Sequence, residues 1–285
     1  MNEILVVNKP KNCTSRDIVN FICKKFNTKK VGHTGTLDPL ATGVLVVLIG
    51  KYTNLVEVIT AYNKVYEAEI LLGTLTDTLD ITGNILKEEI LNISDEKILD
   101  AINNMVGSYE QTVPIYSAVK INGKKLYEYA RSGEKIELPK RLATINSIDL
   151  ISKIVRKDGK ITFKIRADVS KGTYIRALIN DIANKLNTVG TMIALKRIKQ
   201  GNITINDSYT LDEIKSDNYR FYDINNCLNE FYSVETDDNL YKKIKNGVEL
   251  NNIYNQELVL FKHNNLPIAL YKNDKNTLKM WKYLL

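Results

Sequence analysis

The chain is poor in the residues that build metal and thiol chemistry. Its 285 residues hold three cysteines and two histidines. Cys13, Cys23 and Cys227 are scattered and form no Cys-x-x-Cys pair, which reads as reduced thiols rather than a disulfide framework. With His33 and His263 the only imidazoles, a zinc centre is not expected, and a histidine-based triad could draw on only one of two residues. No metal and no cofactor are expected. There is no apolar run long enough to span a bilayer. The Met1–Pro10 stretch has no basic lead and only a short apolar run, so a signal peptide is not expected, and the expected location is cytoplasmic. Spaced glycines occur without a following Gly-Lys-Ser/Thr and without Gly-x-Gly-x-x-Gly, which excludes a Walker-type phosphate cradle and a dinucleotide loop.

The chain does have enough apolar residues, 44%, for a packed core, and an ordinary 26% of charged ones. Its net charge is +7 and its pI about 9.0, which favours a polyanionic partner. Residues 31–44 then concentrate an unusual composition: Val-Gly-His-Thr-Gly-Thr-Leu-Asp-Pro-Leu-Ala-Thr-Gly-Val. One carboxylate, Asp38, sits among Gly, Thr and Pro ahead of a strand-like run, Val44–Ile49. Pro39 disfavours helix at Asp38, so an extended or turn backbone is expected there. An acid on an ordered loop beside a buried strand is a common way to present a catalytic group, and an ordinary Asp-Pro turn is the plainer alternative.

Further along, Ile4–Val7 reads as a strand ending at Lys9-Pro10. Thr14-Ser15-Arg16-Asp17 reads as a helix cap, with Ile18, Ile22 and Phe26 at helical spacing behind it. Residues 64–72 alternate as a strand. Asp95–Val106 reads as an amphipathic helix. Ser117–Ile121 is a short strand, Asn122-Gly123 a turn, and a helix begins near Lys125. Ile161, Phe163, Ile165, Ala167 and Val169 alternate strictly as a strand. Ser170–Arg176 leads into a helix through Leu178, Ile179, Ile182 and Leu186, which puts Tyr174 and Arg176 in a first helical turn, a favourable place for an anion. Composition shifts near residue 225, and short strand-like runs follow at Leu258–Lys262, Ile268–Tyr271 and Leu278–Tyr283. Lys120, Lys124, Lys125, Arg131, Lys135, Lys140 and Arg141 cluster with Tyr116, Tyr127 and Tyr129. That cluster reads either as a solvated face or as an RNA-contacting surface.

The string Gly32–Gly43 closely resembles the signature of the TruB family, the bacterial tRNA pseudouridine-55 synthases. Lys9-Pro10-Lys11-Asn12-Cys13-Thr14-Ser15 resembles a second family motif, with Asn12 where glycine is usual. Asn tolerates left-handed backbone, so the turn is expected to survive. Leu72–Gly83, Gln111–Lys120 with Tyr127, Ala130, Arg131 and Gly133, Ser170–Arg176, and Leu195-Lys196-Arg197 are similar to further family segments. Val113 stands where a second proline is common, which suggests a less rigid loop. Ile244–Leu250 weakly resembles the PUA module, a small RNA-binding β-barrel; an undifferentiated β subdomain is the alternative.

The resemblance implies an α+β pseudouridine synthase fold with a large mixed, mainly antiparallel sheet and a small C-terminal PUA-like β domain. It divides the chain into a catalytic domain, 1–225, with an RNA-gripping insertion at 111–141, and a module at 226–285. It implies that Asp38 is catalytic, that Arg176 partners and orients it, and that Tyr66 stacks on the uracil. His33 is expected to help extrude the base, Tyr174 and Leu195 to wall the pocket, and Lys9, Lys120, Arg131, Arg141 and Lys171 to bind substrate. The implied partner is the T-stem–loop of tRNA, without guide RNA or membrane, and the implied state is a monomer. A single conspicuous carboxylate suits a reaction in which uracil leaves as a stable anion. An RNA-guided synthase and a tRNA chaperone are the competing readings.

Overall fold

The computed structural model describes residues 1–285. They divide into two compact units, one of Met1–Pro39, Gly43–Thr60 and Gly201–Leu285, the other of Leu40–Thr42 and Ala61–Gln200.

The first unit begins with β1 (Glu3–Lys9), α1 (Ser15–Lys25), β2 (Val31–His33), β3 (Thr42–Ile49) and α2 (Val56–Thr60). Strand β3 is apolar and buried along nearly its whole length, as expected of a strand covered on both faces. It pairs antiparallel with β1, from Glu3↔Ile49 to Lys9↔Gly43, and with β2 from Val31↔Ile49 to His33↔Val47. Helix α1 starts where Thr14 and Asp17 form a reciprocal capping box, and it buries Ile18, Val19 and Ile22 at helical spacing.

The second unit holds β4 (Lys64–Leu72), β5 (Thr74–Thr76), β6 (Ile85–Glu88), α3 (Asp95–Asn103), β7 (Gly107–Thr112), β8 (Lys120–Ile121), β9 (Lys124–Lys125), α4 (Leu126–Ser132), β10 (Lys140–Leu150), β11 (Val155–Lys157), β12 (Lys160–Val169), α5 (Ile175–Lys185) and β13 (Gly190–Gln200). Five of these strands run in the order β13-β4-β12-β10-β7, each pair antiparallel. Burial along β4 alternates strictly. One face carries Tyr66, Ala68, Ile70 and Leu72 inward; on the other, Glu67 pairs with Arg166 (2.7 Å) and Glu69 with Lys164 (3.8 Å). Helix α5 packs on the inward face. Gly190 permits this approach, since a Cβ there would lie 3.0 Å from the Ala183 Cβ.

The chain returns to the first unit with β14 (Ile203–Thr204), α6 (Leu211–Lys215), α7 (Ile224–Cys227), β15 (Ser233–Glu235), α8 (Asp238–Lys245), β16 (Leu250–Asn251), β17 (Leu258–His263), β18 (Leu266–Asp274) and β19 (Thr277–Tyr283). The last strands form a separate sheet, β15-β17-β18-β19-β16, over a core of Ile244, Val259, Phe261, Ile268, Ala269, Tyr271 and Leu278.

Two elements are shorter than their patterns suggest. The helix expected to reach Val106 ends at Asn103, because the chain leaves at Gly107 with φ 114. The strand expected over Ser117–Ile121 keeps only Lys120–Ile121. The carbonyls of Ser117 and Val119 instead accept from Tyr127 and Leu126, the otherwise orphaned N–H groups at the start of α4.

Candidate active site

Asp38 lies on irregular, non-helical backbone between β2 and β3, in keeping with the Pro39 that follows it. The segment is fixed on both sides. The Leu37 N–H donates to Ser15 Oγ (2.9 Å) and the Ser15 hydroxyl donates to Leu37 O (3.2 Å). The Asn12 N–H donates to Pro39 O (2.8 Å). Leu37 is itself buried. Asn12 holds φ 65, so the left-handed turn survives the loss of glycine. The turn of the Lys9–Ser15 motif and the head of α1 thus bracket the backbone at Asp38.

Lys9 belongs to the same construction. It is fully buried, and its ammonium donates to Pro10 O (2.9 Å) and Cys13 O (2.7 Å), bracing the turn. His33 ends β2 opposite Val47 and is half-buried.

Tyr66 and Arg176 belong to the second unit. Tyr66, 8% exposed, lies on β4 between Arg197 of β13 and Ala167 of β12. Opposed residues share a face, so Tyr66, Ala68, Arg197 and Leu195 (opposite Ala68) form one surface. The hydroxyl of Thr42 donates to Leu195 O at 3.4 Å. Lys64, two residues before Tyr66, is buried, and its ammonium donates to Tyr62 O (2.6 Å). Burial, with Arg197 and Lys171 nearby, brings this ammonium down to about 7.

Arg176 is the second residue of α5 and is buried. Two of its N–H groups donate to main-chain carbonyls, Nη1 to Thr78 O and Nη2 to Tyr116 O, each at 3.0 Å. These bonds come from two different loops and set the plane of the guanidinium. Tyr174 is the N-cap, but its side chain makes no cap bond. Gln111 supplies the missing contact. Its Oε1 accepts from the Tyr174 N–H (2.8 Å), and its Nε2 donates to Tyr174 O (3.2 Å). Nε2 also donates to the Tyr109 hydroxyl (2.8 Å), which donates to Asp181 Oδ2 (2.9 Å). Burial, then the Asp181 charge, pushes the Tyr109 phenol above its usual range; burial raises the Asp181 carboxyl as well. The sequence marks Gln111 only as part of a motif and gives no mark to Tyr109 or Asp181. The available signal was the alternation on β7, which buries Gln111 between exposed Glu110 and Thr112.

The remaining expected binding residues are exposed. Lys120 lies on β8, Arg131 near the end of α4, Arg141 on β10 opposite Gln111, and Lys171 in the turn after β12. In the 111–141 segment, the Arg131 guanidinium and the Lys125 ammonium each sit 5.4 Å from the Tyr127 ring centre. This segment has its own apolar cluster of Val113, Leu126 and Tyr129, against which Tyr174 packs. The Asp77 and Asp80 carboxylates, which invite a metal reading, are engaged in turn bonds: Asp77 with Asn84, Asp80 with Thr78 and Thr82. No helix is long and apolar enough to cross a membrane.

A family model described as TruB family pseudouridylate synthase (N terminal domain) matches residues 23–175. The tRNA pseudouridine synthase B of Caldicellulosiruptor saccharolyticus is 44% identical over 247 residues, covering 87% of this chain and 83% of that protein. That of Clostridium perfringens is 37% identical over 298 aligned residues, covering 100% and 99%. Among solved structures, an H/ACA RNP bound to a substrate RNA containing 2′-deoxyuridine is similar with a TM-score of 0.72 at 20% identity, over 99% of this chain and 85% of that one. This likeness bears out the α+β pseudouridine synthase fold with its mixed sheet and C-terminal β domain. With more than half its length matched by the family model and with relatives this similar, the chain belongs to the TruB family of pseudouridylate synthases.

Proposed function

We propose that the protein isomerises uridine-55 in the T-stem–loop of tRNA to pseudouridine, using Asp38 as its one catalytic carboxylate. The N1–C1′ bond breaks, the base turns over, and C5 bonds to C1′. C5 loses a proton and N1 gains one, so the product is an isomer and the stoichiometry calls for no co-substrate. Asp38 acts on the electron-poor sugar, either by adding to C1′ or by removing the 2′ hydrogen. Arg176, a planar and permanently charged group, keeps the carboxylate ionised and oriented. Tyr66 stacks on the uracil, and its hydroxyl serves the C5 proton. Leu195 and Tyr174 wall the pocket, and His33 aids extrusion of the base from the RNA stack.

The observation that carries this reading is the bracketing of Asp38. A lone carboxylate motif is held from both sides by hydrogen bonds to a second family motif, one to the Ser15 hydroxyl and one from the Asn12 N–H, more constraint than an ordinary Asp-Pro turn requires. The basic and aromatic 111–141 segment supports an RNA-gripping role. The lysines of α8 support an RNA-binding role for the C-terminal module, which we take as PUA-like over 226–285. A guide RNA is not part of the proposal, and the enzyme acts as a cytoplasmic monomer.

The test is single-turnover tritium release from a tRNA transcript carrying uridine tritiated at C5. Wild type should release tritium, and a transcript with cytidine at position 55 should release none. Binding without release would overturn the isomerase reading in favour of an RNA chaperone; release from the position-55 variant would overturn the site assignment.

A further inference from the structure

We propose that Gln111 is a positioning residue for this reaction: its amide grips the main chain of Tyr174 and thereby sets the first turn of α5, which carries Arg176. The inference rests on the isomerase reading above.

Three observations converge on it. Gln111 is 2% exposed and uses both ends of its amide on a single residue, accepting from the Tyr174 N–H and donating to Tyr174 O. The side chain of Tyr174 gives no cap of its own, so this grip is the fastening described at the helix head. A cavity of about 230 Å³ lies between α5 and the segment after β7, with Ala177, Asn180 and Asp181 on one side and Val113 and Tyr116 on another. The Tyr174 side chain packs on Val113, Leu126 and Tyr129 beside this cavity, while the Gln111 amide fixes the Tyr174 main chain. Finally, the same segment holds α5 twice, through Gln111 on Tyr174 and through the Tyr116 carbonyl on Arg176.

The amide has one orientation that satisfies this network. Asp181 as an ionised acceptor turns the Tyr109 proton toward itself, which leaves the phenolic oxygen to accept from Gln111 Nε2 and so directs Oε1 at the Tyr174 N–H. Displacing the first turn would move the Arg176 guanidinium and the Tyr174 ring together, while Gln111 itself, 2% exposed, offers an RNA no surface. A shift of about 1 Å in a reacting constellation costs rates of about 10²-fold.

The test compares single-turnover tritium release, tRNA affinity and thermal unfolding for wild type, Gln111→Leu and Gln111→Glu. Gln111→Leu should lower the rate by about 10²-fold with the tRNA Kd unchanged. Gln111→Glu gives the decisive signature. As a carboxylate it accepts from the Tyr174 N–H but donates nothing to Tyr174 O; once protonated it donates again. Charged or titrating groups around it are Asp181 and Lys185 of α5, Tyr109 of β7, Arg141 opposite on β10, Arg176, and Asp77 on the cavity wall. Asp181 and Tyr109 lie on the donor side of the amide, so the new carboxylate holds its proton to higher pH than an exposed glutamate. The Gln111→Glu rate, divided by the wild-type rate at each pH, should rise as pH falls, while the Gln111→Leu ratio stays flat. An undiminished rate in Gln111→Leu, or parallel loss of rate, affinity and melting temperature with no acid recovery in Gln111→Glu, would overturn the proposal. Should Gln111→Leu not fold, the Gln111→Glu ratio decides alone. Absence of release by wild type would instead sink the isomerase reading, so the two failures are distinct.

Discussion

Asp38 and Arg176 are each held firmly, but the bonds that hold them span very different lengths of chain. The backbone at Asp38 is fixed by Ser15, 22 residues from Leu37, and by Asn12, within the same N-terminal stretch. Arg176 is fixed by Tyr116 O and Thr78 O, 60 and 98 residues away, and the turn that carries it by Gln111, 63 residues from Tyr174. The acid rests on a locally built shelf whose direct bonds come from the Ser15 hydroxyl and the Asn12 N–H, with the Lys9 ammonium bracing the turn. The guanidinium hangs from loops that must arrive from elsewhere in the unit, through a network that contains a titratable carboxyl. The two groups should therefore respond differently to substitution and to pH.

The largest expected effect is that of Asp38→Asn, which keeps shape and removes charge. Tritium release should fall by about 10⁴-fold or more, while tRNA binding, measured by filter retention, stays at the wild-type level. Release within tenfold of wild type would remove Asp38 from the chemistry. Next is Arg176→Lys. The two carbonyl bonds need a planar fork that an ammonium cannot reproduce, and loss of about 10²–10³-fold in the single-turnover rate is expected. If the lysine variant kept full activity, a point charge would suffice and the geometry of the carbonyl clamp would be irrelevant.

The same contrast decides what could be read from the residues alone. The Asp38 shelf is written in contiguous motifs, so the non-helical backbone at Asp38, the capping box at Thr14 and Asp17, the left-handed Asn12 and the Asn122-Gly123 turn (φ 50 and 81) are all found as expected. The partners of Arg176 are main-chain carbonyls, which any residue type supplies, so nothing in Thr78 or Tyr116 announces them. Gln111, Tyr109 and Asp181 become a network only once β7 and α5 are packed. Val113 teaches a related lesson. Its place in the motif commonly holds proline, which suggests a looser loop. Yet its N–H donates to Pro139 O at 2.9 Å, a bond proline cannot make, and its side chain is 1% exposed. One restraint has replaced another.

Smaller effects test the shelf itself. Ser15→Ala removes both bonds to Leu37 in a buried place, and a loss of about 1–3 kcal/mol in unfolding free energy is expected, measured by urea denaturation. The rate should drop with it, since Asp38 follows Leu37 directly; stability lost at an unchanged rate would mean that the shelf supports the fold but not the acid. At Asn12, glycine should be nearly neutral, whereas alanine at φ 65 should cost about 1–2 kcal/mol.

The smallest effect sharpens the pH side of the comparison, because only the Arg176 side contains a carboxyl whose titration burial has shifted. Asp181 in the folded protein takes up its proton at higher pH than in the unfolded chain, where its ordinary value is 3.8. The stability tied to that proton is fully present below the ordinary value and is lost as pH rises through the raised one. At neutral pH the ionised, half-buried carboxylate is thus a cost to the fold, even while it orients Tyr109. Asp181→Asn removes the charge and keeps an oxygen that accepts from the Tyr109 hydroxyl. Its melting temperature should match or exceed that of wild type at pH 7, and the difference should close on acidification as the wild-type carboxyl becomes neutral too. Ser15→Ala, which touches no titrating group, should instead shift the melting temperature by the same amount at every pH. If the Asp181→Asn difference were likewise constant with pH, the carboxyl would not be titrating abnormally, and pH would not separate the two sides.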